Sequence, residues 1–201
     1  MTTPALRQAI ATHHAGHVVA AHFADPSRIS RVDLATPCVH HRPTVPAITH
    51  SALRTELSIA VAGLTAEEIF AGESGSHAAA DLANATRVGA DMVGRYGMAG
   101  SLVSLDTSRP HRAKFVDRVL HDARTRKELE ALLREAKRES VRLMLENRHQ
   151  IIALRDALMR QPRLEPAQIR NILATVEHER NNDEVLVDLR IVGHRPAVGE
   201  I

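Results

Sequence analysis

Tryptophan is absent from this 201-residue chain, and its aromatic set is three Phe and one Tyr. Phe23, Phe70, Tyr96 and Phe115 are too few and too scattered to form the exposed ring platforms on which RNA-recognition modules stack bases. The one cysteine, Cys38, excludes an intrachain disulfide and any multi-cysteine zinc or iron–sulfur site within one chain. A charge excess is also lacking. The 26 Lys and Arg against 24 Asp and Glu leave a formal +2, too balanced to mark a nucleic-acid partner or an anionic membrane surface. No run reaches the roughly eighteen apolar residues of a membrane span, and the opening MTTPALRQ lacks a signal peptide's apolar core. A soluble, cytoplasmic chain without a membrane segment is therefore expected. With 44% apolar residues it can bury a core. Its unusual surplus is thirteen histidines.

Helical periodicity dominates the pattern. Thr3-Pro4 supplies an N-cap hydroxyl and a proline at the first helical position, and Asp25-Pro26 ends the run that follows. Arg28–Leu34 alternates as a strand, and Pro37, Pro43 and Pro46 make the next stretch a loop or a frayed edge strand. Ser51–Phe70 reads as one helix. Ser76 is placed to cap another, from about Ala78 to Arg95, and Leu102–Leu105 reads as a short strand. From about Ala113 to Arg160 the chain is charged and periodic but too long for one globular helix, so a break is expected near Arg124–Lys127. After Pro162 a short helix, Glu165–Thr175, closes a domain spanning residues 1–175. Residues 176–201 read as an extended or partly disordered tail, with a strand-like alternation over Glu184–Val192.

The chemistry concentrates in His13-His14-Ala15-Gly16-His17. Residues four apart share a helix face with Cβ atoms about 5–6 Å apart, so His13 and His17 can bind one metal ion. Taken alone, such a pair more often sits on a half-buried face without any metal. Its sequence context favours the ligand reading. Thr12–Ala20, THHAGHVVA, resembles the HEAGH helix of the FtsH family, the peptidase part of membrane-bound AAA proteases. Val61–Gly72 is similar to that family's GGRAAEE…FG helix. Ala80-Asp81-Leu82 with Ala85-Thr86 resembles its NDL…AT element, and Asp91–Met98 its MV…YGM segment. The likeness runs from about Pro4 to Leu173. It implies a mainly α, helical zinc-metallopeptidase-like domain with a small β element. It also implies zinc held by His13, His17 and Asp81, with a coordination position left for water. Glu67 and Glu68 fall on the paired-glutamate positions. One is read as supporting the site, and two solvated helix glutamates is an equal alternative.

His14 departs from that pattern. The family has a glutamate here, the general base that takes a proton from the activated water. An imidazole reaches as far, but it is neutral when basic, and losing a general base costs about 10²–10⁴-fold in rate. His14 therefore stands at the catalytic general-base position with weakened chemistry, or turns to ligate the metal itself. Leu64 replaces the family's arginine, Ala80 its asparagine, and Cys38–Pro43 its longer substrate-binding hairpin. Prolines remove the donors that an edge strand offers to an extended peptide. His77, four residues before Asp81, can face the site; His40, His41 and His50 read as solvent-exposed, and Cys38 as a small packing residue.

Two functions follow from the resemblance. One is a zinc metallopeptidase of FtsH type with hydrolysis weakened or lost. The other is a pseudopeptidase that keeps the fold as a binding or regulatory module. A scaffold without metal is a third reading. The partner is a polypeptide substrate or a binding protein. Sixfold homo-oligomers follow by analogy with the family's rings. The chain contains no Walker A sequence, so any ATPase that serves it is expected on a separate polypeptide.

Overall fold

The computed structural model describes residues 3–36, 48–106 and 112–192. The loop prolines, Cys38, His40, His41, His111 and His194 lie outside the described residues, so the expectations placed on them find no structural counterpart. Eight helices and one two-stranded sheet are formed among those described.

Helix α1 (Pro4–Ala24) starts as its sequence requires, with Thr3 Oγ1 accepting a hydrogen bond from the Leu6 N–H and Pro4 in the first turn. Every residue from Ala11 to Ala21 is buried. A helix buried on all sides is a central one. Asp25 leaves the helix in an extended conformation, and its carboxylate then accepts from the Ser27 N–H. The expected strand shrinks to β1 (Val32–Asp33). Asp33 ends it, because its side chain accepts from the Ala35 N–H and its carbonyl from the Thr36 N–H, which turns the chain.

The helix expected over Ser51–Phe70 divides into α2 (His50–Ala60) and α3 (Ala62–Phe70). Between them Val61 sits at φ −94°, ψ 1°, outside the α region, and sets the start of α3. Helix α3 lies unusually close to α1. A Cβ on Gly16 would fall 2.6 Å from Ala66 Cβ and 2.7 Å from the Ala62 carbonyl oxygen, so glycine is what permits the contact. A short 3-10 turn, Ser76–Ala78, leads into α4 (Ala79–Gly94) with no capping bond from the Ser76 side chain. Leu102–Leu105 is not a strand. Gly97 and Gly100 take positive φ of 64° and 84°, and the chain curls back so that the Leu105 N–H reaches the Gly94 carbonyl.

The long charged segment breaks twice, giving α5 (Arg112–His121), α6 (Ala123–Glu146) and α7 (Arg148–Arg160). The first break falls at Asp122, just before the expected window, because its carboxylate caps α6 through the Thr125 N–H. The second falls at Asn147. Strand β2 (Arg163–Leu164), which the sequence pattern did not reveal, pairs antiparallel with β1, Val32 opposite Leu164. The last helix is longer than expected: α8 runs from Pro166 to Val192, so residues 176–192 are helical rather than extended. No glycine or proline interrupts it before Gly193, and the Asn181-Asn182 pair costs a helix only tenths of a kcal/mol per residue.

Three apolar clusters hold these elements together. The largest joins α1 to α3, α7, α8 and both strands through Val19, Val32, Ile151, Leu158, Leu164 and Ile169. The second links α2, α3, α4 and α6 through Leu57, Leu64 and Met92. Phe115 and Leu129 lead the third, beneath α4. The first packs the histidine turn of α1 against α3, and the second joins α3 to α4.

Candidate metal centre

His13, His14 and His17 all project from the buried middle of α1 and are 7%, 5% and 3% exposed. Space for their rings comes from Gly63 on α3. A Cβ there would lie 2.5 Å from both His13 Cε1 and His17 Nε2. Asp81, in the first turn of α4, closes the group from the third side. His13 Nε2 lies 3.0 Å and His17 Nε2 3.3 Å from Asp81 Oδ2, and the two imidazole nitrogens are 3.1 Å apart. The three sequence-predicted ligands are thus brought together, with one donor atom from each within 4.8 Å of the others.

The outer partners fix which nitrogens face inward. His17 Nδ1–H donates to the Ile59 carbonyl at 2.9 Å; a carbonyl can only accept, so that nitrogen carries a proton. His13 Nδ1–H donates to Glu67 Oε1 at 2.6 Å. With both Nδ1 atoms protonated, neutral imidazoles present only lone pairs to one another and to the Asp81 carboxylate. Three acceptors at 3.0–3.3 Å repel unless a proton or a cation lies among them. Burial opposes a charged His13, but the bonds and charges of Asp81 and Glu67 outweigh it and raise that imidazole's pKa. Burial likewise opposes ionisation of Asp81, and its interactions with the facing His13 and His17 rings overcome it, holding the carboxyl well below the usual range. Two imidazoles and a carboxylate, with the outer nitrogens tied to a carboxylate and a carbonyl, make a donor set suited to a divalent transition metal.

Glu67 is the supporting glutamate of the pair. It is fully buried, and its second oxygen accepts from the Gly75 N–H at 2.6 Å. Glu68 turns outward and forms an ion pair with Lys137 at 2.7 Å. Sequence reasoning left these two equivalent, and it missed both Gly63 and the Ile59 carbonyl. A glycine inside the helical GLTAEE pattern was the available signal, since glycine mid-helix marks a close approach.

A cleft of about 280 Å³ opens beside the triad, lined by Ile10, His14, Leu34, Thr36, His77 and Ala80 together with His13, His17 and Asp81. His14 stands on its wall, its ring centroid 6.0 Å from that of His13, and its Nδ1 is buried with no hydrogen-bond partner. Burial, helped by the neighbouring His13 and His17, pushes its pKa down to about 4. His77 also faces the cleft, but its Nε2 lies 3.8 Å from Glu67 Oε2, beyond hydrogen-bond reach. His50 is exposed at the start of α2, away from the triad. Among the described residues, no helix is long and apolar enough to cross a membrane.

A helical domain with this His-x-x-x-His and aspartate arrangement has clear relatives. The model of peptidase family M41 matches residues 1–172, and the chain belongs to that family. It is 31% identical over 189 residues to "ATP-dependent zinc metalloprotease FtsH 2" of Symbiobacterium thermophilum, an alignment covering 87% of this chain and 31% of that protein. It is 27% identical over 183 residues to "ATP-dependent zinc metalloprotease FtsH" of Ruminiclostridium cellulolyticum, covering 83% of this chain and 30% of the relative. The chain therefore spans less than a third of the length of these relatives.

Proposed function

We propose that this chain binds one zinc ion through His13, His17 and Asp81 as a metallopeptidase-type domain acting on polypeptides. In this reading hydrolysis is weakened or lost because His14 occupies the general-base position. The observation that carries it is the convergence of three acceptor atoms whose outer nitrogens are already committed to Glu67 and Ile59. When bound, zinc supplies Lewis-acid activation of water and of a peptide carbonyl. The chain's own residues orient and hold. Glu67 and Ile59 fix the imidazole tautomers, and Gly63 admits the rings beside α3. The His14 imidazole, neutral at pH 7, stores a proton poorly.

The experiment is a comparison of wild type with His14→Glu, both zinc-loaded, on an unfolded protein substrate. Little or no cleavage by wild type and chelator-sensitive cleavage by the variant are expected. Vigorous wild-type hydrolysis would refute the weakened-base reading.

A second reading, a pseudopeptidase that binds a polypeptide without cutting it, is favoured by the end of β1. Among the described residues the strand turns at Asp33 after two paired residues, which leaves little edge there for an extended peptide to join. Under that reading His14→Glu stays inactive although it binds zinc.

A further inference from the structure

His14 is the buried polar group that the metal reading leaves without a task. Its side chain lines the cleft, it is 5% exposed, and its Nδ1 finds neither a protein donor nor a protein acceptor. A buried nitrogen left this way is costly, and a native structure retains one where something else completes it.

The spacing of the rings indicates what that is. Two imidazoles bound to one tetrahedral ion, with metal–nitrogen bonds of about 2.0–2.1 Å, hold their ring centroids roughly 5 Å apart. The centroids of His13 and His17 are 4.7 Å apart, and those of His13 and His14 are 6.0 Å apart. His14 is not among the groups whose donor atoms already lie within 4.8 Å of one another, so a side-chain rotation has to bring its nitrogen in, closing the ring spacing to His13 by about 1 Å. His77, at 5.9 Å from the His13 ring, is a rival by distance alone. Its orphan nitrogen, however, points toward Glu67, on the side of His13 turned away from Asp81. His14 has no such competing carboxylate.

Building on the zinc reading above, we propose that His14 is a fourth protein ligand. With His13, His17 and Asp81 it closes the metal site as three imidazoles and a carboxylate. A site with four protein ligands has the character of a structural zinc site, because no coordination position is left for water. The substitution then does more than remove a base: it converts an open hydrolytic centre into a closed one. The three-imidazole set also favours zinc, copper or nickel over magnesium or calcium.

Two measurements on the full chain test this. X-ray absorption of the zinc-loaded wild type counts imidazoles directly; three are expected, and two would overturn the proposal. Cobalt(II) loading gives the second. The wild-type visible spectrum should be of the intense four-coordinate kind and unchanged by added azide. His14→Ala and His14→Gln should both become azide-responsive and bind cobalt more than about 100-fold more weakly, beyond the 10–100-fold that loss of an outer-shell partner costs. An azide-responsive wild type with unchanged affinity in the variants would overturn the proposal and leave the triad reading intact. Azide-insensitive variants would overturn it in favour of another ligand such as His77. A wild type that binds neither metal would overturn the zinc reading itself.

Discussion

Replacing Gly63 by alanine adds one methyl group at the most crowded point of the centre. That carbon would lie 2.5 Å from His13 Cε1, 2.5 Å from His17 Nε2 and 2.6 Å from His13 Nε2. In an unobstructed helix the exchange would stabilise by about 1 kcal/mol through helix propensity. Overpacking a filled site costs about 1–3 kcal/mol, so without metal the variant should come out neutral to about 2 kcal/mol less stable. The larger effect is expected on the metal-loaded protein, because rings fixed by an ion cannot swing aside. At zinc one hundredfold above its dissociation constant, binding stabilises a folded chain by about 2.7 kcal/mol. Urea unfolding in chelator and in zinc separates the two terms: Gly63→Ala should lose most of the zinc increment. Gly16→Ala is the control, since its Cβ meets Ala66 and the Ala62 backbone rather than the imidazoles. That variant should be destabilised equally in both conditions and keep its zinc increment. A Gly63→Ala protein with the full increment and undiminished stability in chelator would refute the placement of α3 against the histidines.

Three further outcomes are expected. Glu67→Gln keeps the shape but loses the charge that holds His13 Nδ1–H, and it can set an amide against the Gly75 N–H. Zinc affinity should fall about 10–100-fold, and isothermal titration showing no change would argue against Glu67 as support. Lys137→Ala removes a partly exposed ion pair with Glu68 and should alter stability by no more than about 1 kcal/mol, with zinc affinity untouched; a zinc titration that moved would place Glu68 at the site after all. Asp25 accepts from the Ser27 hydroxyl and N–H, Asp33 from the Ala35 N–H and Arg163, and Asp122 from the Thr125 N–H and hydroxyl, bonds that hold their carboxyls below the usual range. A lowered carboxyl pKa contributes stability that is present above the unfolded-state value, near 4, and is lost as the pH falls through the folded value. In chelator, melting temperature should therefore drop below about pH 4, and less steeply in the variant carrying Asn at all three positions. Parallel profiles would contradict this.

The centre was legible in the sequence because its information is local. Four-residue spacing puts His13 and His17 on one helix face, and the resemblance supplied Asp81 from a distant turn. The cap at Thr3 uses a side chain three residues from the N–H group that it satisfies, and the sequence displays such short-range chemistry. Contacts between distant elements were hidden. Strand β2 exists only through its pairing with β1 across some 130 residues, reinforced by Arg163 on Asp33, and two residues carry no periodicity. Nothing in the Glu67-Glu68 dipeptide tells which carboxylate turns inward; the packing of α3 against α1 and α6 decides it. The division at Val61 and the continuation of α8 past Thr175 were missed for a related reason. Neither position has a glycine or proline, so the pattern gave no local stop in the first case and was given one too early in the second.

Zinc stoichiometry tests the central claim most directly. The purified chain, dialysed against a small zinc excess and then against metal-free buffer, should retain about one zinc per chain. His17→Ala and Asp81→Ala should retain far less while keeping a wild-type helical circular dichroism spectrum. A wild type that holds no zinc, or variants that hold as much as it does, would contradict the assignment of His13, His17 and Asp81 as the metal centre.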